Sequence, residues 1–153
     1  MPKNSGFTII ELLIILVIIG IMASVAVPSY QGMVARNALT NHTNAIVGFL
    51  QLARSEAVTR RTATQVCPST NLTSCSGTNM ALGAIILQGT TVLKVLPATT
   101  ANLTSSGTGS LTYSSDGTST TTGTWTVASS NSSVKSKIIT VNATGRTVSG
   151  DAP

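Results

Sequence analysis

The sequence predicts an α+β fold: one long N-terminal helix, membrane-spanning in its first half, followed by a small β-rich head. Three observations carry this. The apolar residues crowd into the first thirty or so positions, and charged residues make up only 8% of the chain. Beyond Thr62 the spacing changes from helical to short alternating runs separated by Gly, Ser, Thr and Asn. At 153 residues there is room for one modest domain, not two.

The chain opens MPKNSG and continues FTIIELLIILVIIGIMASVAVPSY. As a helix, residues 7–27 would be about 31 Å long, close to the hydrocarbon thickness of a bilayer. A secretory signal places its small-residue cleavage site after the apolar stretch. The nearest candidate there is Ala23-Ser24-Val25-Ala26, whereas the small residue that stands out is Gly6, ahead of the stretch. A cut after Gly6 removes a short basic leader, residues 1–6, and keeps an apolar helix over residues 7–28. Lys3 on the N-terminal side favours a cytoplasmic N-terminus and an exported remainder.

Glu11 breaks the apolar pattern. A carboxylate in a spanning helix costs about 2.5–3.5 kcal/mol on insertion scales, so it needs a partner or a function. No basic residue lies within a turn of it. A cut after Gly6 creates an α-amine at Phe7, one turn away, on the same chain or a neighbour. Between chains, that pairing would set the axial register of packed helices. The alternative is a protonated, hydrogen-bonded glutamic acid near the headgroups.

The run Gly6-Phe7-Thr8-Ile9-Ile10-Glu11-Leu12 resembles the prepilin signature of type IV pilins and type II secretion pseudopilins. The resemblance implies that a membrane aspartyl protease, the prepilin peptidase, cuts after Gly6 and methylates Phe7. It makes Glu11 the assembly glutamate and places Pro28 where such helices carry a kink or local melting. Physically, Pro28 removes a backbone donor and crowds the preceding turn.

Residues 29–61 continue as an amphipathic helix. Ile46, Phe49, Ala53 and Ala57 recur at three- and four-residue spacing, a stripe that a sheet can cover; Gly48 interrupts but does not forbid it. Glu56 and Arg60 form an i,i+4 pair. Arg54 and Arg61 share a face, read as solvated or filament-contacting rather than as a ligand site, and His42 is read as an exposed helix residue without chemistry. The stretch LQLARSEAVTRRTATQVCP resembles the pseudopilin H/FimT/FimU group. With the leader, the resemblance covers the first half of the chain and is weaker over residues 76–134. It implies a head of two antiparallel sheets packed on the C-terminal half of the long helix.

The head is expected over residues 62–153, with strands at Ala63–Val66, Leu82–Leu87, Thr91–Leu96, Ser110–Ser114, Thr124–Ala128 and Lys137–Asn142. Thr99–Gly109 and Thr118–Gly123 are expected as exposed low-complexity loops. Trp125, the one tryptophan, reads as a core anchor. Cys67 and Cys75 are the two cysteines, and two thiolates with a distant His42 do not close a zinc shell. In an exported head they pair across the 67–75 loop, a bond worth about 2.5 kcal/mol in the chain-entropy model; two free thiols are the alternative. Asn-x-Ser/Thr triplets at Asn71, Asn102 and Asn142 arise easily in so Ser/Thr-rich a chain, and no glycosylation is expected.

Ile138–Arg146 looks like the family's closing strand and glycine-arginine turn. FimT-type minor pilins that bind DNA carry a second arginine two residues further on; here Val148 stands there. Lys135, Lys137 and Arg146 can form a small basic patch for DNA phosphates, with a steep salt dependence, or be turn and surface residues without a partner. The net charge of +5 and pI near 9.8 suit anionic lipid headgroups, nucleic acid or simple solubility alike.

No Ser-His-Asp set, metal cluster or phosphate loop is visible, so catalysis and cofactors are not expected. The resemblance implies a structural subunit, a minor type IV pilin that helps initiate or cap the pilus in adhesion, twitching or DNA uptake. The alternatives are the minor pseudopilin H of a type II secretion system and a DNA-binding competence pilin. Expected partners are other pilins or pseudopilins through the N-terminal helix, the prepilin peptidase, inner-membrane lipid and, in the third reading, DNA. The expected location is the bacterial inner membrane, single-pass, with the head in the periplasm.

Overall fold

The computed structural model describes residues 8–99 and 101–153. The chain divides into a unit ending at Val34 and a second unit, the head, over Ala35–Pro153. Helix α1 runs Ile9–Arg60. Thr8 caps its start: the hydroxyl accepts the Glu11 N–H at 3.3 Å, satisfying a donor the first turn leaves open. Its end is a Schellman turn, with Thr62 N donating to Ala57 O at 3.1 Å and Arg61 N to Val58 O at 3.2 Å. Arg61, at φ 52°, holds the left-handed position usually given to glycine.

Eight strands follow: β1 Thr64–Pro68, β2 Ala84–Gln88, β3 Thr91–Leu96, β4 Leu103–Gly107, β5 Leu111–Tyr113, β6 Gly123–Ser129, β7 Lys137–Val141 and β8 Thr147–Asp151. They form two four-stranded antiparallel sheets, ordered β3-β2-β1-β5 and β4-β6-β7-β8. The α+β architecture is the one expected. The expected strand at Leu82–Leu87 begins later, because Met80–Leu82 is a 3₁₀ turn capped by Asn79.

Two expectations about loops fail. Thr99–Gly109 is not a loop throughout: its second half is β4, which pairs with β6 from Leu103↔Ser129 to Gly107↔Trp125. Its alternation is hidden because one of its two buried positions is Ser105 rather than an apolar residue. Within Thr118–Gly123, Ser119 is buried and bridges Tyr113, and its N–H reaches Ala143 O at 2.9 Å. Strand β8 was also unforeseen. It is an edge strand exposed along most of its length, without an apolar face to signal it.

The main core of the head lies between α1 and the sheets. Leu39, Ile46, Phe49, Leu50, Ala53 and Ala57 come from the helix, and Val66, Ile86, Leu111 and Tyr113 from the first sheet. Trp125, Val127, Ile139 and Val141 come from the second. All four residues of the expected helical stripe are therefore in the core. Trp125 is fully buried, and its indole N–H donates to Thr108 O at 2.7 Å, so the large side chain leaves no polar group unpaired. At Gly107, φ is 147° and a Cβ would collide with Thr124 O and the Trp125 backbone; only glycine allows this approach.

A second, smaller cluster lies on the far face of the first sheet. Ile85, Leu87 and Cys67 are buried there, with Leu72 and Val92 packed against them. Cys67 and Cys75 form a disulfide, with Cα atoms 5.5 Å apart. The closed loop carries Leu72 onto this cluster, which explains how β2 buries both faces. Asn71 organises the loop, its Oδ1 accepting from the Thr73 and Ser74 N–H groups at 3.1 and 3.0 Å.

Candidate functional site

The first candidate is the unit ending at Val34. Its helix is long and apolar enough to cross a membrane, with mean hydropathy 2.9 over its best 18-residue window. Almost none of it is covered: Ile9, Leu12, Ile14, Val17, Ile19, Met22, Val25 and Tyr30 are all exposed. A helix apolar on every side is stable only inside lipid or among other helices. Glu11 sits in the first turn, where a carboxylate also meets the positive end of the helix dipole. Gly6 and Phe7, the expected cleavage and methylation positions, lie outside the described residues. Helix α1 continues through Pro28, which leaves the Ser24 carbonyl without its usual backbone donor.

The second candidate is the basic surface of the head. Lys135, Lys137 and Arg146 do not share one patch. Strand β7 separates them by about 14 Å, and each end of the β7–β8 hairpin lines a different groove. At the open end, a groove of about 420 Å³ is lined by Arg36, Leu39, Val134, Lys135, Lys137 and Asp151. Lys137 Nζ lies 3.3 Å from Asp151 Oδ1, an exposed pair that contributes little stability. At the turn end, a groove of about 570 Å³ is lined by Gln51, Arg54, Val58, Gly145, Arg146 and Thr147, with no carboxylate. The hairpin turn there places Gly145 at φ 75°, and its N–H donates to Asn142 O at 2.8 Å.

Arg54 is not the solvated side chain expected. It is half-buried, its Nε donating to Gly117 O at 2.9 Å and its Nη2 to Thr144 O at 3.0 Å. One guanidinium thus ties α1 to the β5–β6 connection and to the β7–β8 turn, a role that only the fold reveals. Glu56 and Arg60 pair as expected, at 2.6 Å. Beside the second groove the Tyr113 and Thr147 hydroxyls are buried without a hydrogen bond of normal geometry, and burial pushes the Tyr113 phenol above its usual range. His42 also departs from expectation. It is buried, its Nε2 has no hydrogen-bond partner, and burial holds its imidazole below the usual pKa. Val148 is 44% exposed on the edge strand, an apolar residue where the resemblance calls for an arginine.

Comparison with known proteins accounts for both units. A family model described as type II transport protein GspH matches residues 42–145, and one for the prokaryotic N-terminal methylation motif matches residues 1–27. A fimbrial protein of Pseudomonas aeruginosa is 40% identical over 55 residues, 36% of this chain and 36% of that protein. A probable minor fimbrial protein of Dichelobacter nodosus is 50% identical over 40 residues, 26% of this chain and 25% of its own length. These matches span about a third or less of the curated relatives' length. The fold is that of the Pseudomonas aeruginosa type IV minor pilin FimU. The TM-score is 0.62 at 22% identity, over 77% of this chain and 90% of that one. With the methylation motif, the uncovered apolar helix and the GspH model spanning most of the head, the chain belongs to the GspH family of type IV pilin-like minor pilins and pseudopilins.

Proposed function

We propose that this protein is a minor type IV pilin, a structural subunit that helps initiate or cap a pilus. One observation carries the reading: a carboxylate, Glu11, stands in the first turn of α1, and among the described residues almost nothing covers the apolar surface of that helix up to Val34. Lipid covers that surface before assembly and neighbouring helices cover it afterwards. Cleavage after Gly6 removes the leader, the new amine at Phe7 is methylated, and a neighbour's amine neutralises Glu11. Because an unpaired carboxylate in this environment costs about 2.5–3.5 kcal/mol, only the axial register that pairs it is favoured. The work of the protein is polymerisation, with Pro28 a place for the helix to bend within the bundle.

The match to fimbrial relatives over about a third of the chain or less supports the pilus reading. The second reading, a minor pseudopilin of a type II secretion system, is favoured by the description of the family model that spans the head. Both share the assembly step, which Glu11→Ala tests. The variant is expected to fractionate with the membrane like the parent, while its amount in sheared filaments falls at least tenfold. Normal incorporation would rule out the pairing, and loss from the membrane would move the role of Glu11 to insertion.

A further inference from the structure

We propose that the groove formed by Arg36, Lys135 and Lys137 binds the phosphates of anionic phospholipid headgroups, docking the head on the membrane surface before assembly. The proposal rests on the reading of residues 7–28 as the membrane segment. Three cations line this groove against one carboxylate, Asp151, and that carboxylate is largely exposed. Lys135 is exposed, and Val134 and Leu39 supply an apolar floor beneath the charges. Long basic side chains over apolar surface suit the boundary between headgroups and water.

Chain connectivity keeps this groove on a short tether to the membrane segment. Tyr30 is exposed and has the amphipathic character favoured at membrane interfaces. Arg36 follows it by about 9 Å of helix, and follows Val27 by about 14 Å. These are contour lengths, so any bend at Pro28 only shortens them. The interfacial layer is about 5–8 Å deep on each side of the hydrocarbon, and a lysine or arginine side chain spans most of what remains. Arg54 lies about 27 Å further along α1 than Arg36, so its tether to the membrane segment is that much longer. The expectation of a single DNA patch joined two sites with different surroundings. The half that includes Arg36 has the chemistry and the shorter tether for lipid.

The test uses the full chain in nanodiscs of phosphatidylcholine alone or with 30% phosphatidylglycerol, reading backbone hydrogen exchange over residues 132–137. Exchange should slow with phosphatidylglycerol and recover in high salt. Each lysine near an anionic surface is worth about fivefold. Lys135→Gln with Lys137→Gln should therefore lower the ratio of docked to undocked heads roughly 30-fold, and Asp151→Asn should raise it. Arg146→Ala, in the other groove, should leave it unchanged.

No dependence on phosphatidylglycerol, or equal loss in Arg146→Ala, would overturn the proposal. So would the same protection from inorganic phosphate over phosphatidylcholine, which would make the groove a free-phosphate site, or stronger protection from duplex DNA, which would return it to nucleic acid. Failure of the chain to enter phosphatidylcholine nanodiscs at all would refute the membrane reading beneath it, an outcome separable from the others.

Discussion

Ile14 and Ile46 have the same side chain and stand on the same helix, yet Ile14 is 53% exposed and Ile46 is fully buried. Around Ile46 the chain supplies its own cover, two sheets whose inner faces meet the helix stripe. Around Ile14 the described residues supply none. The apolar surface up to Val34 is a driving force of the same kind as the core of the head, but it is satisfied by lipid or by other subunits. One unit is a folded domain with its hydrophobic free energy already realised. The other holds the same kind of free energy in reserve for assembly. If this division is right, damage to one unit should leave the other working.

The largest effect on the head should come from Trp125→Ala. The ring is fully buried against both sheets, so its loss should cost about 3–5 kcal/mol. Thermal unfolding in micelles, followed by circular dichroism, should show the β signal melting well below the parent while membrane partition is unchanged. Loss of partition along with the head would break the division.

A smaller effect should follow loss of the disulfide. Cys67→Ser with Cys75→Ser should cost about 2.5 kcal/mol by the chain-entropy estimate. It should also free Leu72 from Ile85 and Leu87. Hydrogen exchange should rise first in β1 and β2, on the face turned away from α1. Uniform acceleration across both sheets would show that the outer cluster is part of the main core rather than a separate cap.

The contrast between the two regions also explains what was legible in the sequence. Spacing alone placed Ile46, Phe49, Ala53 and Ala57 in the core, because a helix stripe is a local pattern. Strands β1 to β3 and β5 to β7 were legible from β-branched runs between turns. Strands β4 and β8 were not, since LTSSG and TVSGD owe their strand geometry to partners across the sheet. The basic residues failed in the same way. Lys135, Lys137 and Arg146 are close in sequence, but a strand intervenes, and sequence distance cannot say which end of a hairpin a side chain occupies. Arg54 and His42 were misplaced because their neighbours arrive from 63 or more residues away in the case of Arg54. The orphaned Nε2 of His42 has no local signature at all.

His42 gives the finest test of the division, because it is the one histidine in the chain and belongs to the head. Burial lowers its pKa in the folded state below the ordinary 6.5. The unfolded chain therefore binds the proton more readily, and stability from this group is fully present above pH 6.5. It falls as the pH drops through 6.5 towards the lower folded value. Other perturbed groups act elsewhere. Hydrogen bonds from Thr118 hold Asp116 below 3.8, so its contribution is lost only in stronger acid, and Tyr113, raised above 10.0, acts only in base. Between pH 7 and 5 the head's denaturation midpoint should thus decline, and His42→Leu should flatten that slope while membrane partition stays constant in both proteins. A slope that survives His42→Leu would assign the acid sensitivity to another group.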